Sequence, residues 1–147
     1  PVIKEYLRLA ETERFSSTMA TLLESGVPIL YALEIAEKSA GTVIVAKIIR
    51  SVKNAVREGR TLTQPLDESA FFPPMVTQMI NIGEEVGDLD KMFKKIAAYY
   101  AEIMETQITR FASMFEPIMI VVMGATIGSM VVSMFLPIFK LATIGSH

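Results

Sequence analysis

The sequence predicts an all-α protein, a bundle of six helices followed by one C-terminal transmembrane helix. Three observations carry that prediction. Pro117 to Phe139 is a run of 23 residues without a charge. Glycine and proline divide residues 1–116 into amphipathic segments with the 3.6-residue period of a helix. No stretch alternates apolar and polar residues between hairpin turns, as strands would.

The first helix is expected from about Leu7 to Ser25, with Phe15, Met19, Leu22 and Leu23 on one face and Gly26 as a left-handed terminator. Pro28 opens a shorter second helix, whose inner face is Ile29, Leu33 and Ala36 and which Gly41 should stop. The third helix, about Thr42 to Glu58, turns Val45, Ile48, Ile49, Val52 and Val56 inward and ends at Gly59. Thr61-Leu62-Thr63-Gln64 has capping-box spacing for a short fourth helix. Phe71-Phe72-Pro73-Pro74 forces an extended joint, because each proline biases the residue before it away from helix. A fifth helix should run from about Pro74 to Glu85. Gly87 and Asp88 then act as terminator and N-cap, and a long sixth helix places Leu89, Phe93, Ile96, Tyr100 and Ile103 on one stripe.

The uncharged run is long enough for a bilayer, since about 20 helical residues rise about 30 Å. Pro117 suits its first turn and Pro137 its end, so the two prolines are expected at the edges of the span. Gly124 and Gly128 form a GxxxG pair of the kind that lets a second helix approach closely in lipid. All 16 acidic residues lie at or before Glu116, and 13 of the 14 Lys and Arg lie at or before Arg110. Lys140 is the one cation beyond the span, so the excess of positive charge on the N-terminal side places the bundle in the cytoplasm and the C-terminus across the membrane. The expected domains are residues 1–114 for the bundle, 115–140 for the membrane helix and 141–147 for a short tail. A chain that opens on Pro1, with no initiator methionine, is expected to be a piece of a longer polypeptide.

Composition removes most chemistry. There is no cysteine, and the single histidine is His147, so Ser-His-Asp, Cys-His and the common zinc constellations cannot be built. No GxxxxGK[ST] or GxGxxG loop occurs to hold a nucleotide. Neither catalytic residues nor a cofactor are therefore expected. The segment Gly83 to Asp90 concentrates Glu84, Glu85, Asp88 and Asp90 at a helix-helix turn, which could offer oxygens to Ca²⁺ or Mg²⁺, although the spacing is not that of an EF-hand. Helix N-termini favour such carboxylates without any metal. Lys47, Arg50, Lys53, Arg57 and Arg60 recur at helical spacing opposite the apolar face of the third helix, a strip fit for anionic lipid, for an acidic partner or simply for water. With no aromatic residues among these cations and a net charge of -2, nucleic acid is not an expected partner.

The run Phe15 to Pro28, then Ala32-Leu33, Gly59 with Leu62, Phe72-Pro73, Gly83-Glu84 with Gly87 and Leu89, Glu116-Pro117 and Pro137-Ile138-Phe139, in that order, resembles the F-type inner-membrane platform proteins of type II secretion and type IV pilus assembly. The resemblance covers about Val2 to Leu141 and corresponds to the second helical domain and last membrane span of such proteins. It implies a non-enzymatic, oligomeric platform that contacts the cytoplasmic assembly ATPase, pilin or pseudopilin and other inner-membrane assembly proteins. It marks Gly26, Pro28, Gly83, Glu84, Gly87 and Leu89 as signature residues of the soluble part, and Glu116, Pro117 and Pro137 as those bordering the span. Glu84, Gly87, Leu89 and the basic strip are the expected partner contacts; Glu116, Pro117, Gly124, Gly128 and Pro137 are the expected packing residues of the membrane helix. The alternatives are a transporter subunit, disfavoured by a span without ionisable groups, and a membrane-anchored helical adaptor unrelated to pili.

Overall fold

A computed structural model describes residues 2–145, and all of its regular structure is helical. In chain order the helices are α1 (Val2–Glu24), α2 (Ile29–Ser39), α3 (Val43–Arg57), α4 (Thr63–Ser69), α5 (Pro74–Val86) and α6 (Leu89–Gly145). The chain divides into two compact units, one ending at Glu105 and the other starting at Thr106. Ser146 and His147, part of the expected tail, lie outside the described residues.

In the first unit, α2 packs along α3, α1 on α2, and α4 on both α3 and α5. Its core holds Phe15 and Met19 from α1, Leu33 from α2, Val45, Ile49 and Val52 from α3, Leu66 from α4, Val76 and Ile80 from α5, and Phe93, Ile96 and Tyr100 from α6. Phe15 sits at the junction. Its ring lies 5.6 Å from that of Phe72 and 5.6 Å edge-on from that of Phe93, so one residue of α1 joins the α4–α5 joint to α6. Such offset and edge-on pairs add about 0.5–1.5 kcal/mol each to the burial of the rings.

The expected stripe of α6 is the observed one, with Phe93, Ile96 and Tyr100 buried and Leu89 and Ile103 packed against the core. Burial pushes the Tyr100 phenol up, helped by neighbouring Tyr99. On α3 the inward set is Val45, Ile49, Val52 and Ala55, whereas Ile48 and Val56 are only half-buried. Ile29 of α2 is likewise half-buried, and Ala32 takes the inner place beside Leu33 and Ala36.

The helix ends follow the glycines at three of the four expected places, Gly26, Gly59 and Gly87. At Gly26 (φ +86°) the Val27 N–H donates to Leu22 O and the Gly26 N–H to Leu23 O. At Gly59 (φ +84°) Arg60 N–H donates to Ala55 O and Gly59 N–H to Val56 O. Both are the paired bonds of a Schellman cap, which need a left-handed residue and so favour glycine. Thr42 caps α3 by accepting from the Val45 N–H at 3.3 Å, and the α4–α5 joint is extended as Pro73 and Pro74 require.

Four expectations need correction. α1 begins at Val2 rather than near Leu7, and residues 2–8 are exposed helix whose apolar side chains Val2, Ile3, Tyr6 and Leu7 do not enter the core. Gly41 does not terminate α2, which already ends at Ser39 with an extended Ala40. Gly41 instead permits a close approach: its N–H donates to Glu11 Oε2 at 3.2 Å, and a Cβ there would collide with the other oxygen of that carboxylate. Pro117 and Pro137 do not stand at a first turn and an end of a helix but lie inside α6. Each removes one backbone bond, yet the helix continues to Gly145 and takes in the first part of the expected tail.

In the second unit the residues from Thr106 to Gly145 form the helix alone, and none of its large apolar side chains is buried. An 18-residue stretch of α6 reaches mean hydropathy 2.2 with no part of it covered by protein. A soluble core helix of that composition would be buried, so hydrocarbon is the medium that suits this surface. The chain is membrane-associated, and α6 is the one helix among the described residues long and apolar enough to cross a bilayer.

Candidate functional site

The acidic turn between α5 and α6 is built on two glycines. A Cβ on Gly83 would stand 2.9 Å from Met92 Cγ and 3.2 Å from Leu89 Cα, so its bare backbone lets α5 lie against the first turn of α6. Gly87 has φ +77°, and the Gly83 carbonyl accepts from the N–H groups of both Gly87 and Asp88. The two residues Gly87 and Asp88 join the helices, and Asp88 O accepts the first bond of α6 from Met92 N–H at 3.1 Å.

Glu84 is turned toward α4. Its Oε2 accepts from the Leu62 N–H at 2.9 Å, and its Oε1 accepts from the Thr63 N–H at 2.9 Å and from the Thr63 hydroxyl at 2.7 Å. The first turn of any helix has amide donors with no partner inside the helix, and its dipole favours a negative charge at that end. Glu84 therefore caps α4 from a residue 21 to 22 places away in sequence, and Thr61 Oγ1 accepts the next amide, that of Gln64, at 3.3 Å.

The remaining carboxylates do not join it. Glu85 is exposed, and Asp88 lies 3.9 Å from Lys91 Nζ. Among the described residues no group of three or more Asp, Glu or His is arranged to hold a metal ion. Leu89 packs against the core, and Gly87 lies exposed at the turn.

The basic strip is divided by a carboxylate that periodicity did not point to. Glu37 of α2 accepts from Lys53 Nζ at 2.8 Å with one oxygen and from Arg50 Nε at 2.8 Å with the other. Hydrogen bonds from Lys53 and then Arg50 hold its carboxyl below the usual range, against the opposing effect of burial. Arg50 and Lys53 thus fasten α3 to α2. Arg60 does not belong to the helical strip, because α3 ends at Arg57 and Gly59 turns the chain; Arg60 pairs with Glu58 at 2.9 Å. Lys47 is exposed, as is Arg57, and neither makes an ion pair among the described residues.

Glu116, Pro117, Gly124, Gly128 and Pro137 are all exposed on α6, and a Cβ on either glycine would meet nothing within 4 Å.

The family model for type II secretion system protein F matches residues 15–137. The chain belongs to that family. All of the signature residues from Gly26 to Pro137 fall inside the matched segment, which runs from the core of the bundle into the apolar part of α6. Relatives of the protein F family include the type IV pilus assembly protein PilC of Myxococcus xanthus, 40% identical over 142 residues that make up 97% of this chain and 34% of the relative. PilC of Thermus thermophilus is 39% identical over 96% of this chain and 35% of its own length. The type II secretion system protein F of Pseudomonas aeruginosa is 37% identical over 96% of this chain and 36% of its own. The chain spans about a third of the length of these relatives.

Proposed function

We propose that the chain is part of an inner-membrane platform for assembling type IV pili or type II secretion pseudopili, acting as an assembly part and not as an enzyme. The observation that supports this reading most is a family match that takes in the packed bundle and the exposed apolar helix together. In this reading the bundle is cytoplasmic and is gripped by the assembly ATPase, while the apolar part of α6 meets lipid, pilin or pseudopilin and other membrane components. Lys47 and Arg57, the two cations of α3 outside the Glu37 clamp, form the contact surface toward an acidic patch or anionic headgroups. Gly124 and Gly128 allow another copy or another membrane helix to approach α6 closely. Glu84, Gly87 and Leu89 serve by shaping the α4–α5–α6 corner that the partner meets.

The test is to reconstitute the chain in lipid nanodiscs with the cognate ATPase and to follow binding and ATP hydrolysis. Saturable binding with altered hydrolysis is the expected result, weakened about tenfold by the double variant Lys47→Glu, Arg57→Glu. That variant leaves the pairs of Glu37 intact, so folding is unaffected. No binding and unchanged hydrolysis would contradict the proposal.

A further inference from the structure

The second unit opens on a part of α6 that is neither uniformly apolar nor uniformly polar. Between Thr106 and Glu116 the helix mixes polar residues with Ile108, Phe111 and Phe115, which are 57%, 67% and 57% exposed. Their alternating spacing of three and four residues continues through Ile118 and Val122, so one apolar stripe runs from the mixed segment into the uncharged run. The Phe111 and Phe115 rings stand 6.0 Å apart on it.

A bilayer does not cover the first part of this stripe. In a helix standing across the membrane, the α-helical rise puts Phe111 about 9 Å and Ile108 about 13 Å before Pro117. The headgroup layer on each face is only about 5–8 Å deep. Moving the span back to reach them would carry Glu116 into hydrocarbon, where a carboxylate is costly. Ile108 and Phe111 are therefore apolar surface in water, and burial against protein is what stabilises such surface.

The period and the flanks of the stripe select its occupant. A repeat averaging about 3.5 residues forms the seam between helices that wrap around one another, whereas lipid or a flat protein surface imposes no such period. The residues flanking it before the bilayer, Gln107, Ala112 and Met114, carry no charge, and Arg110 and Glu116 lie off it. A charged flank would demand an opposite one, so this seam suits a helix like itself. A second copy of the chain supplies that helix. It enters the same bilayer in the same direction and brings its own Phe111 to the same depth, as a twofold axis along the membrane normal requires. Gly124 and Gly128 stand off the stripe, so close approach at those glycines is a different contact.

We propose that α6 pairs with the α6 of a second copy, parallel and in register, along Ile108, Phe111, Phe115, Ile118 and Val122. The seam begins in water and continues between lipid tails. The inference rests on α6 crossing the bilayer and deepens that reading; it requires neither the ATPase nor pilin.

Because the chain has no cysteine, single cysteines report the seam directly. Ile108→Cys, Phe111→Cys and Phe115→Cys on the stripe, and Arg110→Cys and Ser113→Cys off it, are introduced one at a time into the whole chain. All five positions are exposed, so the helix tolerates them. Each variant is diluted into phosphatidylcholine vesicles with no other protein and oxidised with copper phenanthroline, and its rate of disulfide-linked dimer formation is divided by its reactivity with a maleimide. The normalised rate is expected to be at least fivefold higher at 108, 111 and 115 than at 110 and 113. Adding Ile108→Ser and Phe115→Ser to the Phe111→Cys chain should slow it severalfold, whereas adding Gly124→Leu should leave it unchanged. Equal rates at all five positions, faster linkage at 110 or 113, or indifference to the serine pair would overturn the proposal. If the chain meanwhile resists alkaline extraction from the vesicles, the membrane reading stands without it; release by alkali would overturn both.

Discussion

Glu84 shows how a residue that looks like a ligand can serve the fold. Three hydrogen bonds run to its carboxylate from the start of α4. Glu84→Ala would leave two amides of α4 without that acceptor, at a cost of about 2 kcal/mol by the scale of helix caps and charged hydrogen bonds. The check is chemical denaturation of the chain in detergent micelles, with hydrogen exchange expected to quicken first in residues 62–69. Glu37 makes a pH-dependent contribution. Its carboxyl is held low in the fold, so the stabilisation is present above the unfolded value near 4.5 and is lost as pH falls through the folded value. Glu37→Gln should therefore cost about 1 kcal/mol at pH 7 and progressively less as pH falls below the unfolded value, measured as the difference in denaturation midpoint from the unaltered chain. Ser16 offers the opposite case: its buried Oγ has no hydrogen-bond partner among the described residues, and Ser16→Ala should raise stability by about 0.5–1 kcal/mol. None of these three roles was legible in the sequence. The partners of Glu84 lie 21 to 22 residues away and those of Glu37 lie 13 to 16 away, while a local acidic cluster reads equally well as a cap or a metal site.

Helices were far more legible, because burial repeats with their own period. The stripe Phe93, Ile96 and Tyr100 on α6, and Val45, Ile49 and Val52 on α3, could be read directly from spacing. The start of α1 could not, since its apolar side chains stay exposed and its Arg8 reaches a joint more than 60 residues away. Gly83 and Gly87 were legible as a turn, but only the contact with Met92 separates their duties. Gly87→Ala should cost about 1 kcal/mol through its left-handed backbone, whereas Gly83→Ala forces α5 and α6 apart and should cost about 1–3 kcal/mol. Unfolding midpoints of the two variants would rank them. Pro117 was misread because proline statistics from soluble helices place it at a first turn, while α6 carries it in mid-helix. The unbroken course of α6 predicts slow amide exchange through residues 106–117; exchange as fast as in an unstructured peptide would show a hinge there.

For the whole molecule, what the sequence made plain is the separation of solvents. Apart from Lys140, charged residues stop at Glu116, and the structure leaves every large apolar side chain beyond that point uncovered by protein. Membrane association and family follow from this partition and from the match over residues 15–137, whereas sidedness and partners belong to the proposal. Absence of cysteine makes sidedness directly measurable. Two single-cysteine variants, Ser51→Cys on the exposed face of α3 and Lys140→Cys past the apolar run, are to be treated with an impermeant maleimide in intact cells with permeabilised outer envelopes. The account predicts labelling at position 140 at once and at position 51 only after the inner membrane is opened. Equal labelling of both positions in intact cells, or protection of both, would contradict a helix that crosses the membrane with its bundle inside.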